Sequence, residues 1–69
     1  MPVRTHLKKI REAHGESRMQ LVRDLEVSYQ VVQKWENEVL HQLDTNILHK
    51  LMDRYSVRYE DLIYEVDED

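Results

Sequence analysis

Sixty-nine residues are enough for one domain and for a thin core, so stability has to come from well-packed helices or from a second copy of the chain. There is no cysteine, which excludes disulfides, a cysteine zinc site and a thiol nucleophile. The net charge of −4 weighs against nucleic acid, because Lys and Arg meeting phosphate supply most non-specific affinity.

The charge is unevenly spread. Residues 1–37 hold seven Lys or Arg against five Asp or Glu, a balance of +2, whereas residues 38–69 hold three against nine, a balance of −6. The acidic excess therefore belongs to the second half, with Glu65, Asp67, Glu68 and Asp69 in a frayed acidic tail over residues 65–69. The domain proper is read as residues 1–64. No apolar run approaches the roughly 20 residues that span a bilayer, and the N-terminus lacks an apolar signal-peptide core. A soluble cytoplasmic protein with no membrane partner is expected.

One Gly, one Pro and no Phe beside abundant Leu, Glu, Arg, Lys and Gln favour helices over sheets. Turn residues to connect strands are almost lacking, so the fold class is all-α. The first helix is placed from about Thr5 to His14, with Leu7, Ile10 and Ala13 facing inward and Lys8, Lys9, Arg11 and Glu12 on the wet side. Gly15 then supplies a residue suited to a left-handed helix end.

Ser17 to Gln20 reads as a capping box opening a short second helix that buries Leu21, Val22 and Leu25 and stops near Glu26. Val27 and Ser28, an apolar residue followed by an N-cap, start a third helix that runs to about Asn37. Val32 and Trp35 fall on its inner side; Tyr29, Gln30, Gln33, Lys34 and Asn37 fall on its outer side. Residues 38–43 connect without turn signals. Their Val39 and Leu40 have two readings, packed inward on the fourth helix or exposed as a dimer seam. Asp44 caps a fourth helix with Leu48, Leu51 and Tyr55 inside and Ile47 beside them, and a last short helix from Tyr59 to about Tyr64 buries Leu62 and Ile63.

Two short helices joined by a tight turn, the second with a polar outer face, meet the demands of a DNA reader. A major groove about 12 Å wide admits one helix, which must stand clear of the body while the helix before it crosses the phosphate backbone.

The stretch from Leu7 to Ile63 resembles the Cro/C1-type (XRE) helix-turn-helix family. The resemblance is carried by Ser17, Leu21, Leu25, Val27, Ser28, Gln30, Val32, Trp35, Glu36 and Asn37, and is supported by Asp44, Leu48, Lys50, Leu51, Val57, Glu60, Asp61 and Leu62. It implies a lambda-repressor-like bundle of about five short helices that binds double-stranded DNA. It also implies that the helix at about 28–37 reads base edges in the major groove. Carried over, Tyr29, Gln30, Gln33 and Lys34 face the bases, Arg18 and Asn37 grip phosphates, and Ser28 joins them in the DNA-binding set. An amide such as that of Gln30 pairs with adenine N6 and N7, a contact worth roughly 1–3 kcal/mol of discrimination.

The chain departs from the family pattern in four places. Arg18 stands where the family usually has Gln, Glu26 where it has Gly, and Val22 where it has a small residue. After Asn37, Glu38, Val39 and Leu40 replace the usual Gly and basic residues.

Two functions follow from these features. The first is a sequence-specific, repressor-like transcriptional regulator binding a palindromic operator as a homodimer, since one short helix reads few bases. The second is a protein-interaction module on the same fold, an antitoxin, antirepressor or adaptor with weak or lost DNA binding. It is motivated by the acidic second half, by Glu38 and by the apolar Val39 and Leu40 that follow it. No enzyme is expected, for want of a nucleophile with its base or a phosphate-cradling glycine loop. His6, His14, His41 and His49 share no ligand spacing, so neither metal nor any other cofactor is expected.

Overall fold

The computed structural model describes residues 2–67. In chain order it contains β1 (Val3–Thr5), α1 (Leu7–Ala13), α2 (Arg18–Leu25), α3 (Tyr29–Asn37), α4 (Thr45–Tyr55), α5 (Tyr59–Leu62) and β2 (Ile63–Glu65). The five helices are those the sequence predicts, and the all-helical class holds with one small addition, the pairing of β1 with β2.

Helix starts are fixed by side chains that take up free backbone N–H groups. Ser17 Oγ accepts from Gln20 N at 3.1 Å, Ser28 Oγ from Val31 N at 3.3 Å, and Asp44 Oδ1 from Asn46 N at 2.9 Å. Each cap of this kind contributes about 1 kcal/mol. At α1 the cap is displaced by one residue. Thr5 Oγ1 accepts from Leu7 N at 3.2 Å and donates to Trp35 O at 2.5 Å, so Thr5 belongs to the strand and ties it to α3.

Helix ends use left-handed residues. Gly15 has φ of 68°, and Glu26 and Ser56 adopt φ of 57° and 54° at the ends of α2 and α4. Glu26 thus takes the conformation for which the family pattern prefers Gly. The Lys50 ammonium reinforces that end of α2 by donating to Leu25 O at 3.0 Å, as a cation at a helix C-terminus should.

The core is built from Leu7 of α1, Leu21 and Leu25 of α2, Val32 and Trp35 of α3, Leu48, Leu51 and Tyr55 of α4, and Leu62 and Ile63 near the end of the chain. Val27, Val57 and Ile47 are half-buried around it. Val22 is also half-buried, so the bulkier residue at the α2–α3 approach is accommodated at the edge of the core.

Three expectations need correction, and for Leu40 one of the two open readings is selected. Arg11 is buried rather than on the wet side, and Ala13 is exposed rather than inward. Leu40 is 1 % exposed and exchanges two backbone hydrogen bonds with Val3, at 2.9 and 2.7 Å, so it packs inward and is closed to a partner. The last helix ends at Leu62, and Ile63–Glu65 is a strand antiparallel to β1, with Val3 opposite Glu65, Arg4 opposite Tyr64 and Thr5 opposite Ile63. Strand signals were missing because these two strands are not a hairpin. The whole helical domain lies between them, so no tight turn is required.

The pairing continues through Val66 N, which donates to Pro2 O at 3.2 Å, into the stretch read as an acidic tail. Glu68 and Asp69 lie outside the described residues. No helix among the described residues is long and apolar enough to cross a membrane.

The strained turn at Glu26 is directly testable. A left-handed non-glycine residue costs about 1–2 kcal/mol, and glycine gives back roughly 0.5–1 kcal/mol in backbone entropy. Glu26→Gly is therefore expected to raise unfolding stability by up to about 1 kcal/mol in urea denaturation; a loss would contradict this reading of the turn.

Candidate nucleic-acid interface

The site is a face of α3. Tyr29, Gln30, Gln33, Lys34 and Asn37 are all exposed, whereas Val32, Trp35 and Glu36 on the opposite side are buried. The exposed positions recur at three- and four-residue intervals, which places them on one side of the helix. Nine residues at about 1.5 Å each give a rod of roughly 13 Å, and its diameter with side chains, about 10–12 Å, is what a major groove about 12 Å wide admits. Ser28 stands exposed at its start as the N-cap.

Charge on the inner side holds this helix in place. The Glu36 side chain is completely closed to solvent. Arg11 of α1 donates to its Oε2 through Nε at 2.6 Å and to its Oε1 through Nη2 at 3.4 Å, and Arg18 of α2 donates to Oε1 through Nε at 2.8 Å. A second hand of Arg11, Nη1, reaches Glu16 O at 2.6 Å. The carboxylate is therefore held from α1 and α2 together, and the attitude of α3 is set by both.

Arg18 also donates from Nη1 to the Tyr29 hydroxyl at 3.3 Å. The hydrogen bonds to Tyr29 and to Glu36 both favour its charged form and raise its pKa above the ordinary arginine value. Of the two residues read as gripping phosphate, Arg18 is thus already matched by a carboxylate, while Asn37 has an exposed side chain at the end of α3. The Tyr29 hydroxyl accepts from Arg18 and keeps its own proton to donate.

A second ionic cluster fixes α2 against α4. Arg54 bonds Glu16 through Nη2 at 2.5 Å and Asp24 at 2.8 Å, and the Tyr55 hydroxyl donates to Glu16 Oε1 at 2.6 Å. Burial works to raise the Glu16 pKa, but hydrogen bonds from Arg54 and Tyr55 together outweigh it and hold the carboxyl below its ordinary value of 4.5. Burial first, then the bond to Glu16, pushes the Tyr55 phenol up to about 12. The hydrogen bond to Glu16 is the largest cause that raises Arg54.

Sequence reasoning placed the exposed face of α3 correctly and missed its support. Arg11 and Glu36 were assigned by residue type, the first to solvent and the second to no role. Helical phase carried the signal: Arg11 lies four residues after Leu7, and Glu36 four after Val32. Both charges therefore sit below buried residues on inward faces, where opposite charges have to meet.

Beside α3 runs a cleft of about 400 Å³, lined in part by Val31, Lys34 and Trp35 of α3, by Leu43 and Asp44 of the connection, and by Ile47 of α4. Its lining mixes apolar and charged side chains.

Removing one partner of a buried ion pair strands the other and costs about 3–5 kcal/mol. Glu36→Ala is expected to destabilise the fold by that amount in chemical denaturation, and a change below about 1 kcal/mol would remove the brace from the account. The Glu16 pKa gives an acid-side signature. Because its folded value is depressed, its stabilisation is complete above pH 4.5 and fades as pH falls through the folded value. Glu16→Gln should flatten that limb of a plot of Tm against pH, and an unchanged limb would contradict the assignment.

The sequence model of the Cro/C1-type HTH DNA-binding domain matches residues 6–68. Comparison with curated proteins and with solved structures gives no match. The matched span takes in every helix and the whole of the face described above, and the chain belongs to the Cro/C1-type helix-turn-helix DNA-binding family.

Proposed function

We propose that this protein is a sequence-specific transcriptional regulator, repressor-like in action, that reads the major groove with α3. The observation that carries this reading is the combination of a polar, outward face on α3 with a buried ionic brace behind it. A helix held by two others enters a groove as a rigid body and loses little conformational entropy on doing so.

In this reading Gln30 and Gln33 meet base edges from the first and second turns of the helix, and Lys34 meets a guanine or a phosphate. Tyr29 donates its hydroxyl proton to a phosphate, with Ser28 beside it, and Asn37 meets the backbone at the far end. Arg18 acts mainly through Tyr29, which it positions, and adds positive charge at the start of α2. One helix of this length reads only a few base pairs, so a homodimer on a palindromic operator is proposed, its half-sites about 34–36 Å apart. Extents of 34 × 23 × 20 Å let two copies lie side by side at that spacing. Such a protein works where the DNA is, in the cytoplasm, and needs no enzymatic step.

The interaction-module alternative rested in part on an apolar surface at Val39 and Leu40. Leu40 is buried against Val3, so half of that surface is already used within the domain.

The test is selection of bound sequences from a random duplex pool at low salt. A palindromic motif with two half-sites is expected; the absence of enrichment would overturn DNA reading and favour the interaction module. With the selected site in hand, Gln30→Ala is expected to lose about 1–3 kcal/mol of discrimination at one base pair per half-site, measured as binding to a panel of single-base variants. A uniform loss across the panel would assign Gln30 to the backbone instead.

A further inference from the structure

The segment after α3 raises a question that the reading face does not answer. A helix docked in the major groove is positioned by contacts to the flanking phosphates, and cations add charge neutralisation to them, yet residues 38–43 contain no Lys or Arg and begin with Glu38. The fold brings one there from elsewhere. Arg4, near the opposite end of the sequence, donates from Nη2 to Asn37 O at 3.0 Å across a separation of 33 residues.

Its placement follows from β1. Val3 and Thr5 are buried, so Arg4 between them projects from the other face of the strand, opposite Tyr64 across the ladder. The backbone of β1 is held from both sides, by β2 and by Leu40, and Thr5 Oγ1 fixes it to Trp35 O. The guanidinium is thus delivered to the last residue of α3 by a backbone that cannot swing away.

The partner of this bond decides what the group can do. Arg11 and Arg18 are matched by Glu36, and Arg54 by Glu16 and Asp24. Arg4 is oriented by a carbonyl, which takes one N–H and neutralises no charge. A guanidinium has five N–H donors in a planar fork, so donors remain for a phosphodiester oxygen while the carbonyl is held.

We propose that Arg4 is a phosphate-binding residue of the DNA interface, supplying from β1 the cation that segment 38–43 lacks at the end of α3. The inference rests on the proposed reading of DNA by α3. Its ligand is the phosphodiester backbone, so its contribution is independent of base sequence.

The experiment uses the full chain and a fluorescent duplex carrying the selected site, with binding measured by anisotropy over a range of salt. Arg4→Gln keeps an N–H donor for the Asn37 carbonyl and removes the charge. It is expected, for each half-site occupied, to weaken binding roughly five- to tenfold near 0.1 M salt, equally on selected and unrelated duplexes, and to lower the slope of log K against log salt by about 1. Arg4→Lys, which keeps the charge, is expected to preserve most of the slope.

If Arg4→Gln binds like the parent with the same slope, the proposal is overturned while DNA reading stands. If the parent chain binds no duplex at low salt, the reading and the proposal fall together. A loss of affinity with an unchanged salt slope would make Arg4 a helix-end brace only, and that too would overturn it.

Discussion

The carboxylate of Glu36 lies wholly out of solvent between two guanidiniums, Arg11 from α1 and Arg18 from α2. A charge in that position has to be met from close by, since desolvating it alone costs several kcal/mol. Glu36 is one turn beyond Val32 on the inner side of α3, so satisfying it fixes how α3 sits on the two preceding helices. Apolar packing by Val32 and Trp35 supplies the attraction without specifying rotation; two directional ion pairs on one carboxylate specify it. The exposed side chains on the opposite side of α3 inherit their positions from that arrangement.

The same logic explains how so small a domain keeps its shape. Arg11 also holds Glu16 O, and Glu16 in turn meets Arg54 and Tyr55. A chain of charged contacts therefore passes from α3 through α1 to α4, and Lys50 caps the end of α2 from the same helix. The two ends of the domain are joined by β1 and β2, and β1 is tied to α3 through Thr5. Much of the positive charge in the sequence is thus structural, which leaves the surface as acidic as the net charge implies and gives greater weight to the few cations beside α3.

Most of the helical framework was legible in the sequence because its signals are local. Ser17, Ser28 and Asp44 announce helix starts, Gly15 marks an end, and the apolar stripes from Leu21 to Tyr55 give the period. The outer face of α3 followed from the same phase. What escaped was long-range. The pairing of β1 with β2 joins residues about sixty apart, so neither strand carries a neighbouring turn. The inward path of Leu40 is set by Val3, and the burial of Arg11 and Glu36 depends on their meeting. Residue type alone sent Arg11 to solvent, whereas its spacing from Leu7 would have sent it inward. The left-handed turn at Glu26 was legible as strain, and Ser56, its counterpart after α4, carried no comparable signal.

The account stands on α3 being the surface that meets DNA. Backbone amide chemical shifts followed by NMR during titration with duplex DNA at low salt test this residue by residue. The account requires the largest changes at residues 28–37, with smaller ones at Arg4 and at the start of α2, and little change at Leu43 and Ile47 on the far wall of the cleft beside α3. Changes centred on Leu43 and Ile47, or none anywhere while the fold remains intact, would contradict it.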